Sequence, residues 1–353
     1  MNLFFRAWNR FVLVNIRRLK VYFGTRHVFG ERKVVLASNQ VMCVSMLKDA
    51  EYYIDELIRH HFEVGVSHIL IIDNGSTDRT VELASRYPRV SVCRNHLPVR
   101  DYEVLIRSIA AKKYTVGGWF LFVDSDELFV VPAGAGDIKS VAGYCDSYGF
   151  TSVVCQVLDF FSEQSLQDSA GWSYAESLRK FNRFSVNNIT KFDYFDGRIV
   201  FGFFLLNNEC VSSDVKFYFG GMRNEVFGED CCLTTHRLVK NSPEVVLYSH
   251  PHCSGSVRCA DFTALIKHYK FCGDYLAREK RLRGAGVWWD KEIGQRMDYL
   301  NSVDEPIICV SEFHLYTDIE LLFDLGFLVA SDRYLSCSGL SFHGGAARVA
   351  DGR

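Results

Sequence analysis

Trp119-Phe120-Leu121-Phe122-Val123-Asp124-Ser125-Asp126 is an apolar run that reads as a buried strand and closes on two carboxylates one residue apart. Upstream, Ile69-Leu70-Ile71-Ile72 also ends in an acid, Asp73. Strands that leave a buried sheet and carry acids at their carboxyl ends are how an open α/β domain builds a crevice for a ligand. A carboxylate pair such as Asp124 and Asp126 suits a hard divalent cation. Mg²⁺ and Mn²⁺ prefer oxygen ligands and share their coordination with substrate phosphates. The two strand ends together predict a metal-assisted site for a nucleotide-linked substrate.

Outward from these runs the pattern alternates in βα fashion. Val41 to Ser45 reads as a strand, and Ala50 to Val64 as a helix with Ile54, Leu57, Ile58, His61 and Val64 on one face, ended by Gly65. His68 to Ile72 is the next strand. The turn Asn74-Gly75-Ser76-Thr77-Asp78 follows, with Ser76 or Thr77 as cap for a helix reaching Tyr87. Val90 to Cys93 is a strand, Tyr102 to Tyr114 a helix, and Gly117-Gly118 a break before Trp119. Such alternation implies right-handed crossovers and a mostly parallel sheet with helices on both faces. Beyond Thr151 the chain is more aromatic and less regular. Val153 to Val157 reads as a strand, and Asp261 to Arg281 as a helix with Phe262, Leu265, Ile266, Tyr269, Cys272 and Leu276 on one face.

The 353 residues carry 48% apolar side chains, ample for a packed core, and a net charge of −2 that argues against nucleic-acid binding. No acid precedes Glu31, whereas Arg6, Arg10, Arg17, Arg18, Lys20 and Arg26 sit among many apolar and aromatic residues. No stretch is long enough to span a bilayer or to act as a secretory signal. Residues 1–30 therefore read either as an amphipathic segment on an anionic membrane surface or as a helix packed on the domain. Twelve cysteines without an export signal point to a reducing, cytoplasmic compartment and free thiols. The spacing of Cys231, Cys232, Cys253 and Cys259 fits no paired zinc motif.

Four blocks in order resemble the bacterial family-2-like glycosyltransferases of GT-A fold. They are Met46 to Glu51, His60 to Val66, Ile71 to Asp78, and Val123 to Glu127. Looser similarity continues at Phe192 to Gly197, Gly220 to Arg223, and Lys267 to Lys270. The resemblance implies an α/β, Rossmann-like GT-A domain over residues 36–255, following a basic amphipathic segment, 1–35. A C-terminal helical extension, 256–340, and a disordered tail, 341–353, would complete the chain. It further implies transfer of a sugar from a nucleotide-sugar donor to a carbohydrate or lipid-linked glycan acceptor, on the inner face of the cell membrane.

Under that resemblance Asp73 contacts the donor's base or ribose, and Asn74 stands where the family usually has a second acid. Asp124 and Asp126 hold the donor diphosphate through Mn²⁺ or Mg²⁺, and His250 and His252 are candidates for a further metal ligand. Lys48, Arg223 and His268 are candidates for binding the donor. The pair Glu229-Asp230 resembles the family's acidic pair, with Asp230 the candidate base, Glu229 beside it, and Glu163, Asp193 and Asp196 as alternatives for the base. Departure of a nucleoside diphosphate develops negative charge that a metal can neutralise, and displacement needs a base at the acceptor hydroxyl. Each of these groups also has an ordinary reading as a capped turn, a solvated face or a core histidine. Two rival functions remain. A sugar-nucleotide-forming nucleotidyltransferase would need a Gly-rich phosphate loop, and Ser45 to Asp49 has no glycine. A non-catalytic sugar- or nucleotide-binding protein would have no need of both Asp124 and Asp126.

Overall fold

Trp119, Leu121 and Val123 pack into one hydrophobic cluster, and Phe120 and Phe122 into another on the opposite side. All five are fully buried. A strand buried on both faces must lie inside a covered sheet. The fold comes from a computed structural model that describes residues 3–283, 290–343 and 346–349. It places this strand in the middle of a ten-stranded sheet.

In chain order the elements that matter here begin with helix α1 (Leu3–Gly24), strand β1 (Arg26–Phe29), β2 (Val41–Leu47), α2 (Ile54–Glu63) and β3 (His68–Asp73). Next come α3 (Thr80–Ala84), β4 (Val90–Arg94), α4 (Val99–Tyr114), β5 (Trp119–Val123) and β6 (Glu127–Val130). They continue with α5 (Ile138–Ser147), β7 (Ser152–Asp159), β8 (Glu209–Cys210), α6 (Met222–Phe227) and β9 (Thr234–Lys240). The last are β10 (Arg258–His268), α7 (Tyr275–Leu282) and α8 (Asp290–Asn301). The sheet runs β1-β4-β3-β2-β5-β9-β7-β10-β8, with β6 paired to β10.

The βα segment gives the parallel ladder β4-β3-β2-β5. β9 then enters antiparallel between β5 and β7. Because it pairs antiparallel on both sides, β7 and its parallel neighbour β10 point the same way as β5. The carboxyl ends of β3, β5, β7 and β10 therefore share one edge of the sheet. Helices α2, α3 and α5 cover one face, while α4 and Val21 of α1 cover the other. Gly118 makes the turn into β5 at φ +67°, and a Cβ there would meet the Gln40 carbonyl oxygen at 2.6 Å.

Three sequence expectations change. The helix expected over Asp261 to Arg281 is strand β10 followed by the short helix α7. In β10 every residue from Cys259 to Ile266 is buried, Asp261 and Thr263 included, and burial on both faces leaves no inside–outside alternation to separate strand from helix. The expected extension over 256–340 accordingly begins inside the sheet, since β10 lies between β7 and β8. Neither Ser76 nor Thr77 caps α3: Arg79 holds the N-cap position without a side-chain cap bond, Asp78 accepts the Thr80 N–H at 2.9 Å, and Ser76 and Thr77 bond Asp49 instead. Within the tail, Leu340–His343 pairs antiparallel with Ala346–Val349, and the rest of 344–353 lies outside the described residues. At the other end, α1 and β1 bring the N-terminal segment to the body, β1 forming the sheet edge against β4.

Candidate active site at the carboxyl edge of the sheet

Register decides which side chains meet. Asp73 lies opposite Arg94 in the β3–β4 ladder, and His268 opposite both Asp159 of β7 and Glu127 of β6. Asp73 is fully buried, its Oδ1 accepting the Ser76 N–H at 2.8 Å and its Oδ2 facing Arg94 Nε at 2.5 Å. Asn74 donates from its side-chain amide to the carbonyls of Asn95 and Leu97, at 2.6 and 3.0 Å. Lys48 is exposed at the end of β2. The loop it starts is laced to the next turn, with Asp49 Oδ1 accepting the Thr77 N–H at 2.7 Å.

Asp124 leaves the tip of β5 with its side chain 41% exposed. Its carboxylate meets the guanidinium of Arg107 from α4 and, at 3.6 Å, that of Arg237 from β9. Partial loss of water pushes this carboxyl up, but the two guanidiniums outweigh that and hold it below its ordinary value. Glu127 turns back, accepting the Asp124 N–H at 2.9 Å and pairing with Arg237.

Asp126 begins a longer chain of charges. Its Oδ2 stands 3.5 Å from His268 Nε2, and His268 Nδ1 is 2.6 Å from Asp159 Oδ1. Asp159 accepts from Arg223 Nε at 2.8 Å, and Arg223 lies 3.8 Å from Glu229. Glu229 accepts from Arg296 Nη1 at 2.6 Å, and Arg296 Nε reaches Glu279 at 2.8 Å. Burial lowers the His268 imidazole, yet Asp126 and Asp159 on either side raise it to about 9. Burial raises the Asp126 carboxyl, and His268, Lys270 and Arg278 together bring it well below the usual carboxylate range. The anionic oxygen of Asp126 thus faces a ring of cations.

The structure does not bring His250 and His252 to the acids. Their rings stack on Phe201, at 4.5 and 5.5 Å between centroids, and burial lowers them to about 4 and about 3. The position beside Asp126 belongs to His268, the candidate for donor binding. Arg223, another such candidate, is spent on Asp159 and Glu229. Glu229 is buried between guanidiniums, whereas its neighbour Asp230 is exposed. Among the described residues no three His, Cys, Asp or Glu side chains converge to hold a metal ion. A bound cation would first have to displace the Nε2 proton of His268, and Asp126 and His268 would then form a two-donor edge of carboxylate oxygen and imidazole nitrogen. That set fits a cation which takes its remaining ligands from a substrate's phosphates.

Sequence reasoning passed over Asp159, although it closes the apolar run Val153 to Leu158 as Asp73 and Asp124 close theirs. It also missed Arg107, Arg237, Arg278 and Arg296. For Arg107 a signal existed, since it sits beside Ile106 and three residues before Ala110 on the helix face that turns inward.

This segment has known relatives. Residues 48–207 match glycosyl transferase family 2. The match covers a little under half of the chain and contains Asp73, Asp124, Asp126 and Asp159, but ends before Arg223, Glu229, Asp230 and His268. It supports glycosyl transfer as the chemistry of the segment. No curated protein matches the chain in sequence. Glucosyl-3-phosphoglycerate synthase from Mycobacterium tuberculosis, in complex with Mn²⁺, UDP and glucosyl-3-phosphoglycerate, is similar at 23% identity and a TM-score of 0.23. That likeness covers 34% of this chain and 44% of the synthase. The same enzyme with Mn²⁺, UDP and phosphoglyceric acid gives 23% identity, a TM-score of 0.23, and 34% and 43% coverage. UDP-glucose pyrophosphorylase complexed with UDP-glucose is similar at 9% identity and a TM-score of 0.20, over 41% of this chain and 66% of its own. The chain spans less than half the length of the synthase, and at these TM-scores the likeness is confined to part of the fold. No described helix is long and apolar enough to cross a membrane.

Proposed function

We propose that this protein is a metal-dependent glycosyltransferase that moves a sugar from a nucleotide-sugar donor to a hydroxyl of a carbohydrate or lipid-linked glycan, with inversion at the anomeric carbon. The observation that supports the reading is that Asp73, Asp124, Asp126 and His268 all stand at the carboxyl edge of one sheet, with Asp126 and His268 in contact and the three acids within the family-2 segment. Asp73, buried at the end of β3 and paired with Arg94, is our candidate for the side that takes the donor's base or ribose. Asp126 and His268 would hold Mn²⁺ or Mg²⁺, which supplies positive charge against the departing diphosphate. Lys270 and Arg278 add fixed positive charge at the same place. Asp124, held by Arg107 and Arg237, keeps one face toward solvent and the donor.

Of the adjacent acids, we assign Asp230 as the group that accepts the acceptor's proton. It is exposed, while Glu229 serves to hold Arg223 and Arg296 in position. The pathway we assign is synthesis of a surface polysaccharide or glycolipid at the inner face of the cell membrane, with residues 1–30 making a peripheral membrane contact. The basic residues before Glu31 and the exposed apolar side chains of α1 support that contact.

The test is a thermal-shift screen of sugar nucleotides with and without Mn²⁺. A ligand at about a hundred times its Kd stabilises the native state by ~2.7 kcal/mol. The expected result is a shift that needs both nucleotide and Mn²⁺ and disappears in Asp126→Ala, with the variant still folded. A shift equally large in Asp126→Ala would sink the assignment.

A further inference from the structure

Two neighbouring cavities of about 530 and 310 Å³ open where α1 ends, and both are walled by Arg26 and His27. Arg94 and His96 line the larger, Arg32 and Lys113 the smaller, and no acid lines either. Arg94 is matched by Asp73. Lys113 donates only to the neutral carbonyls of Tyr22 and Thr25, at 2.9 and 2.8 Å. Among the described residues no carboxylate stands within ion-pair reach of Arg26, Arg32 or Lys113. Such a concentration of uncompensated cations around a hollow calls for an anion.

The helix above the cavities supplies a second, independent observation. Val21 is fully buried against the body, and Arg17 and Lys20 lie over the ring of Tyr102 in α4, 4.8 and 5.4 Å from its centroid. Val12, Ile16, Leu19 and Phe23 follow at i, i+4, i+7 and i+11, which sets them on the side opposite Val21. Their exposures are 36%, 54%, 55% and 73%, so the described residues leave this side of the helix largely open. The stripe ends at Phe23, next to Gly24 in the cavity wall. Val28, 41% exposed, lines the same cavity. An apolar stripe that runs into a cationic hollow matches the order of a lipid, acyl chains first and phosphate next.

We propose that α1 lies along a bilayer surface with Val12, Ile16, Leu19 and Phe23 among the acyl chains, and that the hollow at its foot takes the phosphate of an anionic lipid headgroup. The proposal rests on the membrane contact assigned above and goes beyond it by naming the lipid class and its receptor residues.

Sedimentation of the full chain with vesicles of phosphatidylcholine alone, and mixed with phosphatidylglycerol, tests it. Each cation near an anionic surface contributes about fivefold in partition, the equivalent of ~1 kcal/mol. As general surface cations, Arg26 and Arg32 would together contribute roughly 25-fold. As phosphate ligands, Arg26→Gln combined with Arg32→Gln should lower partition into the mixed vesicles by more than that and leave turnover unchanged, and a loss of about 25-fold or less overturns the headgroup site. Arg18→Gln, on α1 but outside the hollow, should lower it about fivefold. Leu19→Ser with Phe23→Ser should weaken binding to both kinds of vesicle. Retention of mixed-vesicle binding by the Arg26/Arg32 variant, or an equal loss in Arg18→Gln, overturns the headgroup site while leaving a general membrane contact. Wild-type protein that sediments with neither vesicle removes the membrane contact itself. A melting shift with inorganic phosphate that is lost in the Arg26/Arg32 variant would then reassign the hollow to a soluble phosphate ester and overturn the lipid.

Discussion

Glu229 and Asp230 are adjacent acids for which the structure predicts opposite fates. Glu229 is 1% exposed and sits 2.6 Å from Arg296, itself 2% exposed. Removing one partner of a buried ion pair costs about 3–5 kcal/mol, because the other charge is left without compensation. Arg296 keeps Glu279 at 2.8 Å, which softens the loss, so Glu229→Gln should cost about 3 kcal/mol. At about 2–4 °C per kcal/mol for a mid-sized domain, its melting temperature should fall by roughly 6–12 °C. Asp230→Asn removes an exposed charge and should stay within about 0.5 kcal/mol of the wild type. As the proposed base it should instead lose about 10²–10⁴-fold in turnover. Scanning calorimetry on both variants, with turnover on the donor found by the Mn²⁺ screen, separates the two effects. If Glu229→Gln melts with the wild type, or Asp230→Asn turns over normally, the division of roles between these neighbours is wrong.

Two further outcomes follow from burial. His61 of α2 is fully buried, and burial lowers its imidazole to about 3, against about 6.5 in the unfolded chain. Below about pH 6.5 the unfolded state binds a proton that the native state does not, so stability is complete above that pH and falls on acidification. The slope for this group is ~1.4 kcal/mol per pH unit. His61→Leu should flatten urea-unfolding stability between about pH 7 and about pH 5 by that one proton, and an unchanged slope would place the acid sensitivity elsewhere. Leu265, fully buried in β10, should cost about 2–5 kcal/mol on truncation to Ala, and a loss under about 1 kcal/mol would take β10 out of the sheet's interior.

The first half of the fold was legible because its physics is local. β2, β3 and β5 are short apolar runs between turn signals, and α2 shows Ile54, Leu57, Ile58 and His61 at helical spacing. Each element is therefore encoded by residues that are neighbours in the chain. Beyond Thr151 the elements depend on distant partners. β9 is inserted between β5 and β7, and β10 joins the sheet from far along the chain, so neither the order nor the direction of these strands has a local signature. The continuous burial of residues 259–266 erases the alternation that would have marked a strand. The acids at strand tips could be found because a charge after an apolar run has a stated physical meaning. Their partners, Arg107, Arg237 and Arg296, come from elements that meet the acids only when the sheet closes.

The chain of charges from Asp126 through His268, Asp159, Arg223, Glu229 and Arg296 to Glu279 gives the second half of the protein its part in the site. Asp126 and Asp159 belong to the family-2 segment, while His268 ends β10 and Arg296 and Glu279 belong to α8 and α7. Buried carboxylates and guanidiniums are costly unless each is matched. Here each is matched by a residue from a different element, so no link can be displaced without stranding the next. A cation brought in by donor diphosphate would act on Asp126 and His268, and through them on Asp159 and the arginines behind. The exposed Asp230 is fixed by the same chain, one residue beyond its member Glu229. The acids that would grip the donor and the acid proposed to deprotonate the acceptor are thus held by one continuous set of ion pairs. That physical link ties the C-terminal helices to the proposed active site.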